Sequence, residues 1–342
     1  MTTPTIPAGN LYMNATTYTG TGAAQTITNG GAGTSFQPDL VWFKCRSIAY
    51  NNNLFDSIRG AGQDLRSNLT SAESTTSEFT SFNSNGWSFS GVTTNGFNDN
   101  GATYVGWNWK AGGTAVSNTS GTITSSVSAN TTSGFSVVTW TNPASGIPTI
   151  GHGLGVAPTF IIVKDRTYAY NWDVGCTSIG WANRLNLNTT STTSSGFWNS
   201  TAPTSTVFTY ASSGANSGDS MVAYCWAPIA GYSAFGSYTG NGSTDGPFVY
   251  LGFRPRFVMT KSYDATAGAG DWTIHDTSRN PYNTADLRLF ANSSAAESSS
   301  EAMDMNSNGF KIRATNSNCN TSGGGYIYMA FAENPFKYAL AR

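Results

Sequence analysis

Charge is scarce in this chain. Asp, Glu, Lys and Arg make up 10% of it, against roughly 25% in ordinary soluble domains, and the formal net charge is −1. No Lys/Arg run supplies the basic footprint that nucleic-acid binding needs, so no nucleic-acid partner is expected. Histidine occurs only at His152 and His275, and cysteine only at Cys45, Cys176, Cys225 and Cys319. No two cysteines form a C-x-x-C pair, whereas zinc and redox frameworks need close ligand spacing. They read as free, semi-buried thiols, with Cys225 a core residue inside the apolar run Met221 to Trp226. Nothing approaches the ~18 consecutive apolar residues of a membrane span, so no membrane insertion is expected. The start, Met1 to Pro7, has neither the charged beginning nor the apolar stretch of a signal peptide; export by the usual secretory route is not expected.

Helical periodicity is missing too. No stretch sustains the i, i+3, i+4, i+7 pattern, and Ser71-Ala72-Glu73 and Ala295-Ala296-Glu297 offer a single turn at most. Gly, Ser, Thr and Asn fill the space left by charge, and aromatics reach 13%. Runs such as Phe135 to Trp140, Phe160 to Val163 and Phe248 to Leu251 are β-branched and aromatic, bounded by Gly, Pro or Asn. They read as strands separated by turns. The fold class is all-β.

One frame of residues occurs three times, and repeats take precedence in reading a fold. Gln37-Pro38-Asp39-Leu40-Val41-Trp42-Phe43-Lys44 matches Ala157 to Lys164 and Arg254 to Lys261, with the lysine always six residues after the proline. Downstream, Asp56-Ser57-Ile58-Arg59 matches Asp276-Thr277-Ser278-Arg279, and Cys176-Thr177-Ser178-Ile179 is the degenerate middle copy. Each copy closes on an aromatic strand: Tyr104 to Trp109, Met221 to Trp226, Tyr326 to Phe331. The openings Tyr18-Thr19-Gly20-Thr21-Gly22 and Tyr238-Thr239-Gly240-Asn241-Gly242 also correspond.

About eight strands in a hundred residues is sandwich or jelly-roll density. The expected organisation is three tandem β-sandwich (jelly-roll or lectin-like) modules of about a hundred residues. Residues 1–17 form an N-terminal arm, 18–112 module one, 134–231 module two, and 232–342 module three with its tail. Residues 113–133, almost wholly Gly, Ser, Thr, Ala and Asn, read as a linker or as an extended strand across a module surface. The near absence of a gap between modules two and three suggests a fixed pair, with the first on a looser tether.

Catalytic signals are weak. His152 lies in Gly151-His152-Gly153-Leu154-Gly155, but a phosphate cradle follows a strand and opens a helix, and here another strand follows; the histidine reads as a turn residue. His275 and Asp276 are adjacent, yet no serine stands in a recognisable nucleophile turn. Paired carboxylates would suit a polysaccharide hydrolase, but they are few. Asp56 and Asp276 recur at one register and read as structural residues bonding a nearby turn. Asn98-Asp99-Asn100 and Asp264 to Asp271 are rich in oxygen but lack calcium-loop spacing. No cofactor, metal or catalytic residue is assigned.

Lys44, Lys164 and Lys261 read as the points where the chain leaves the sheet for solvent, with a repeated ligand contact as the alternative. Aromatic faces suit stacking on sugars. Trp109 and Trp226 recur in the closing strand and belong to the core. Trp181 and Trp198 stand outside the shared frame and are the candidates for surface binding.

The Tyr-Thr-Gly-x-Gly openings, Phe36 to Lys44, Leu54 to Gly60, and the tail Ala330-Phe331-Ala332-Glu333-Asn334-Pro335-Phe336-Lys337-Tyr338 resemble the tandem-repeat, tail-fibre-like virion proteins of marine tailed phages. The resemblance covers nearly the whole chain, from Tyr18 to Arg342. It implies a structural protein of the virion surface, assembled in the host cytoplasm, and carries over no functional residues. The expectation is a non-enzymatic tail-fibre or adhesin component that contacts the host cell surface, with a glycan as the ligand class. Its other partners would be virion proteins and copies of itself, a trimer by analogy. Capsid decoration and polysaccharide depolymerisation are the alternatives.

Overall fold

The computed structural model describes residues 9–30, 34–91, 96–211 and 216–333. Residues 1–8 of the expected arm and the tail from 334 onward lie outside them. The fold is all-β, and among the described residues the two helical turns are short 3-10 pieces, Gly9–Leu11 and Thr177–Ile179.

Three large antiparallel sheets account for most of the strands, each built on one copy of the repeated frame. The first runs, in spatial order, Met13–Thr19, Thr103–Trp109, Leu40–Cys45, Asn52–Asp56, Gln63–Arg66, Ser74–Thr75. The core of the second is Phe135–Thr141, Ser220–Trp226, Phe160–Asp165, Asp173–Cys176, Asn183–Asn186, Ser194–Ser195. In the third, Ser233–Thr239, Gly325–Ala332, Pro255–Ser262, Thr273–Asp276 and Ala285–Phe290 take the same places.

Register repeats with order. The closing aromatic lies between one residue of the opening strand and one of the Pro-led strand: Trp109 between Met13 and Leu40, Trp226 between Phe135 and Phe160, Phe331 between Ser233 and Phe257. The Pro-led strand begins beside a residue that cannot donate to the ladder, and its apolar run is buried on both faces.

Those two faces pack against different partners, because successive side chains alternate across a strand. Leu40, Trp42, Phe160, Ile162, Phe257 and Met259 point into one core shared by all three sheets. Val41 and Phe43, Ile161 and Val163, and Val258 point outward into three separate clusters. Each outer cluster has its own lid of strands. In the first it is Gln25–Thr28, Gly86–Phe89 and Phe79–Asn83; in the second, Thr149–Gly151 and Val207–Thr209. In the third the lid stays joined to the main sheet through the long strand Ser298–Asn306. Each copy is thus a two-layer unit whose inner face is completed only by the other two copies.

The recurring Tyr-Thr-Gly-x-Gly opening has a steric cause. A Cβ on Gly20 would collide with the carbonyl oxygen of Asp99, and one on Gly240 with that of Thr321. Gly22 and Gly242 sit at φ of 67° and 69°, a region that L side chains rarely adopt. Beside them Tyr18 stacks on Tyr104 at 4.9 Å, and Tyr238 on Tyr326 at 5.1 Å.

Three expectations of organisation change. Within residues 113–133, Val116–Asn118 and Ser125–Asn130 are strands that extend the second sheet beyond Phe135–Thr141, so the segment is not a free linker. Hydroxyls there face polar neighbours instead of water alone: Ser128 Oγ accepts from Gly112 N at 2.9 Å, and Ser125 Oγ donates to Gly151 O at 2.8 Å. The arm also shortens, because the strand Met13–Thr19 is already the edge of the first sheet. Nor is the first copy loosely tethered. Trp109 meets Trp226 at 6.0 Å and Phe331 at 5.7 Å between ring centres, edge to face.

Candidate functional site

Nearly half of the few charges of this chain lie inside it. Among the described residues fifteen Asp, Glu, Lys and Arg side chains are buried, and many of them line the three seams where sheet meets sheet. Lys44, Lys164 and Lys261 are fully buried, contrary to their reading as points of exit to solvent. Lys44 Nζ donates to Cys45 O and to Ser294 O of the third copy, both at 3.0 Å. Lys164 Nζ donates to Thr70 O of the first copy at 3.1 Å, and to Asp165 O and Tyr168 O. Lys261 Nζ donates to Thr190 O of the second copy and to Gly270 O, both at 2.8 Å. Each lysine therefore ties its own sheet to the preceding one, and the three ties close head to tail. Burial pulls all three ammonium groups down to about 8.

A second set of donors runs round the same ring. Trp172 Nε1 donates to Arg66 O and Trp272 Nε1 to Asn186 O, each at 2.9 Å. At the matching position of the first copy, Asn52 Nδ2 donates to Phe290 O at 3.0 Å.

Asp56 and Asp276 sit at two of the seams. Asp56 Oδ1 accepts from Ile58 N and Arg59 N, at 3.1 and 2.9 Å. Its Oδ2 pairs with Arg59 Nε and accepts from Tyr224 OH of the second copy at 2.8 Å. Asp276 repeats this with Ser278 N, Arg279 N and Arg279 Nε, and Trp107 Nε1 of the first copy donates to it at 3.0 Å. Burial alone would raise the Asp276 carboxyl, but Arg279 and the donated hydrogen bonds hold it below the usual range. The arginines continue outward. Arg59 Nη1 meets Glu73, which Arg166 of the second copy grips with two bonds at 2.7 and 2.9 Å. Arg279 Nη1 meets Glu297, gripped likewise by Arg46 of the first copy.

The third seam, between the second and third sheets, has the same geometry and its lysine, but none of the Asp–Arg–Glu cluster. Cys176, Ile179, Thr193, Tyr263 and Met329 stand where Asp56, Arg59, Glu73, Arg166 and Tyr224 stand, and Cys176, Ile179 and Met329 belong to the shared core. Backbone pairing across the seams is unchanged: Glu73 N donates to Arg166 O, Thr193 N to Tyr263 O, Glu297 N to Arg46 O. The Cys176 sulfur meets the amides of Ser178 and Ile179, as the aspartates meet theirs, and burial pushes its thiol up to about 12. It stays neutral, as an apolar seam requires.

Trp181 and Trp198, the expected surface binders, are buried; Trp198 is 0% exposed. Their rings meet edge to face at 5.4 Å. They fill the volume that Phe55 occupies in the first copy, and the backbone there is Gly175, where any Cβ would strike both indoles. All four cysteines are free and buried.

The histidines do not form a catalytic set. His152 is buried, with Nε2 3.1 Å from Thr204 O and Nδ1 accepting from Leu154 N. His275 Nε2 is 2.7 Å from Glu301 O; its neighbour Asp276 engages Arg279 and Trp107, so the two side chains do not pair. Burial and nearby Arg279 pull His275 down to about 4. Among the described residues no group of three or more His, Cys, Asp or Glu could hold a metal ion, and no helix is long and apolar enough to cross a membrane.

What faces outward is a different set of aromatics, which the sequence did not single out. Tyr168 and Tyr170 stand in the loop after the second Pro-led strand, half exposed and 6.5 Å apart. Phe248 and Tyr250 project from the edge strand Phe248–Tyr250 of the third sheet, and Tyr282 is 83% exposed. The signal available was period-two alternation: Phe248 and Tyr250 flank buried Val249.

A domain of unknown function, DUF7483, matches residues 8–335. No curated protein and no solved structure matches the chain.

Proposed function

The chain belongs to the DUF7483 family, and we propose that this member is a surface structural protein of a tailed-phage particle, a tail-fibre or adhesin component that contacts host-surface glycan. The observation that carries the reading is the closed ring of seams. Three copies of one unit complete each other's core, so a single chain presents three near-equivalent flanks around a rigid centre. Such a body matches a threefold partner in symmetry. Backbone groups at the seams find partners within the chain.

The resemblance to tail-fibre-like virion proteins supplies the particle, and the exposed tyrosines supply contact surface. Tyrosine buries a large apolar face while its hydroxyl stays wet, a combination suited to sugars. Asp56 and Asp276, on which a polysaccharide hydrolase would draw, are buried and occupied by four donors each. That weighs against depolymerisation.

An averaged electron-microscopy map of the particle carrying this chain tests the proposal. Density at the tail tip or on a fibre is the expected result. Density spread over the capsid lattice would replace adhesion by decoration, and a particle without the chain would end the virion reading.

A further inference from the structure

At the seam between the first and third sheets lies a recess of about 450 Å³, within the usual range of small-ligand sites, about 300–1,000 Å³. Its walls carry amides and hydroxyls, among them Asn10, Asn14, Thr16, Thr28 and Ser278, and a single cation, Arg256.

Arg256 is unlike the other arginines of the seams because no carboxylate among the described residues forms an ion pair with it. Its Nη1 donates to Ser278 Oγ at 3.2 Å, and Ser278 Oγ donates in turn to Ala15 O at 2.7 Å. Its Nη2 reaches only the backbone oxygen of Glu333, at 3.5 Å, and its Nε is buried without a partner. The nearby carboxylate is engaged elsewhere: Glu333 Oε2 pairs with Arg254, and Oε1 accepts from Thr277 Oγ1 at 3.1 Å. A half-buried guanidinium whose hydrogen bonds are all to neutral groups keeps part of its desolvation cost, although the charges of Glu333 and Asp276 offset some of it. Burial lowers its proton affinity accordingly.

The repeat shows that this cation is not required by the fold. Asp39 and Thr159 hold the same place after the prolines of the other two copies. Asp39 is internally satisfied there, accepting from Ser57 Oγ at 2.8 Å and Ala111 N at 2.7 Å. Only the third copy sets an unpaired positive charge there, beside a polar hollow at a seam.

We infer that this recess binds a carboxylated saccharide, a uronic-acid-type residue whose carboxylate meets Arg256 and whose hydroxyls meet the surrounding amides and hydroxyls. A guanidinium recognises a carboxylate with charge-assisted bonds, and the neutral lining answers a polyhydroxylated ring. The inference builds on the glycan contact proposed above and names its ligand class and its seat.

The test is calorimetric titration of the purified full chain with digalacturonate, neutral digalactose, and inorganic sulfate as a bare anion. Digalacturonate is expected to bind, with digalactose and sulfate at least about tenfold weaker, the difference one charge-assisted contact confers. Arg256→Thr, which installs the residue of the second copy, should weaken digalacturonate binding by about tenfold or more. Arg256→Gln, closer in length, should do the same, and an unchanged denaturation midpoint in either variant separates lost contact from lost fold. Equal binding of sulfate, no binding of digalacturonate, or binding unaffected in both variants would overturn the inference. Because the titration does not depend on where the chain sits on a particle, it fails or succeeds separately from the electron-microscopy test.

Discussion

If the three seams are equivalent, the side chains of one can be exchanged for those of another. Asp56→Cys removes a carboxylate that serves four donors and leaves Arg59, whose side chain is fully buried, with Glu73 as its one carboxylate partner among the described residues. Breaking one side of a buried pair costs about 3–5 kcal/mol. Replacing a whole buried ionic cluster by well-packed apolar groups is by contrast often neutral, or stabilising by about 1–4 kcal/mol. The third seam already supplies that apolar set in the same backbone frame. Asp56→Cys, Arg59→Ile, Glu73→Thr, Arg166→Tyr and Tyr224→Met together copy it onto the first seam. Denaturant unfolding of the full chain is the assay, with midpoint and slope both recorded. The single variant should lose about 3–5 kcal/mol, and the fivefold variant should recover most or all of it. A fivefold variant as unstable as Asp56→Cys, or worse, would refute the equivalence of the seams and the role given to Cys176, Ile179 and Met329.

Three further outcomes concern the buried ionisable groups. Lys164→Met strands the carbonyls of Thr70, Asp165 and Tyr168 and should cost about 1–3 kcal/mol, with Lys44→Met and Lys261→Met close to it, by the same unfolding assay. The lysines titrate at about 8 in the folded chain, against about 10.4 when unfolded. The unfolded state therefore binds more protons between those values, and their contribution to stability rises with pH through that window. A triple methionine variant should lose that rise when midpoints at pH 7.5 and about 9.5 are compared. His275 acts with the same sign in the acid range. Folded at about 4 and unfolded near 6.5, it contributes stability above pH ~6.5 that is lost as pH falls through ~4. His275→Gln, which keeps a donor toward Glu301 O, should flatten the acid side of the stability curve, as followed by fluorescence.

Much of this architecture was legible in the residues. The three Pro-led frames and their closing aromatics mark the units, and the unbroken apolar run Leu40 to Phe43 marks a strand covered on both faces. What covers the inner face was not legible, because Trp42 and Phe43 look alike in sequence whether the partner is a lid of the same copy or the core of two others. The lysines misled for a related reason. A charge after an apolar run normally marks solvent, and only carbonyls from a distant loop make burial tolerable. Three lysines at one register in a chain so poor in charge were the signal for that role. Trp181 and Trp198 stood outside the shared frame because they compensate for a missing ring; Gly175, where the other copies have Phe55 and His275, marked the space they fill. Arg256 escaped notice because its isolation is defined by the neighbours it lacks, which only geometry reveals.

Hydrogen exchange along the three closing strands tests the central claim that the repeats form one closed body. If the seams bind all three sheets into a single cooperative unit, core amides of Thr103–Trp109, Ser220–Trp226 and Gly325–Ala332 exchange only through global unfolding and share one opening free energy. Amides of one strand exchanging through a distinctly cheaper opening, while the other two stay protected, would show separable modules and contradict the account.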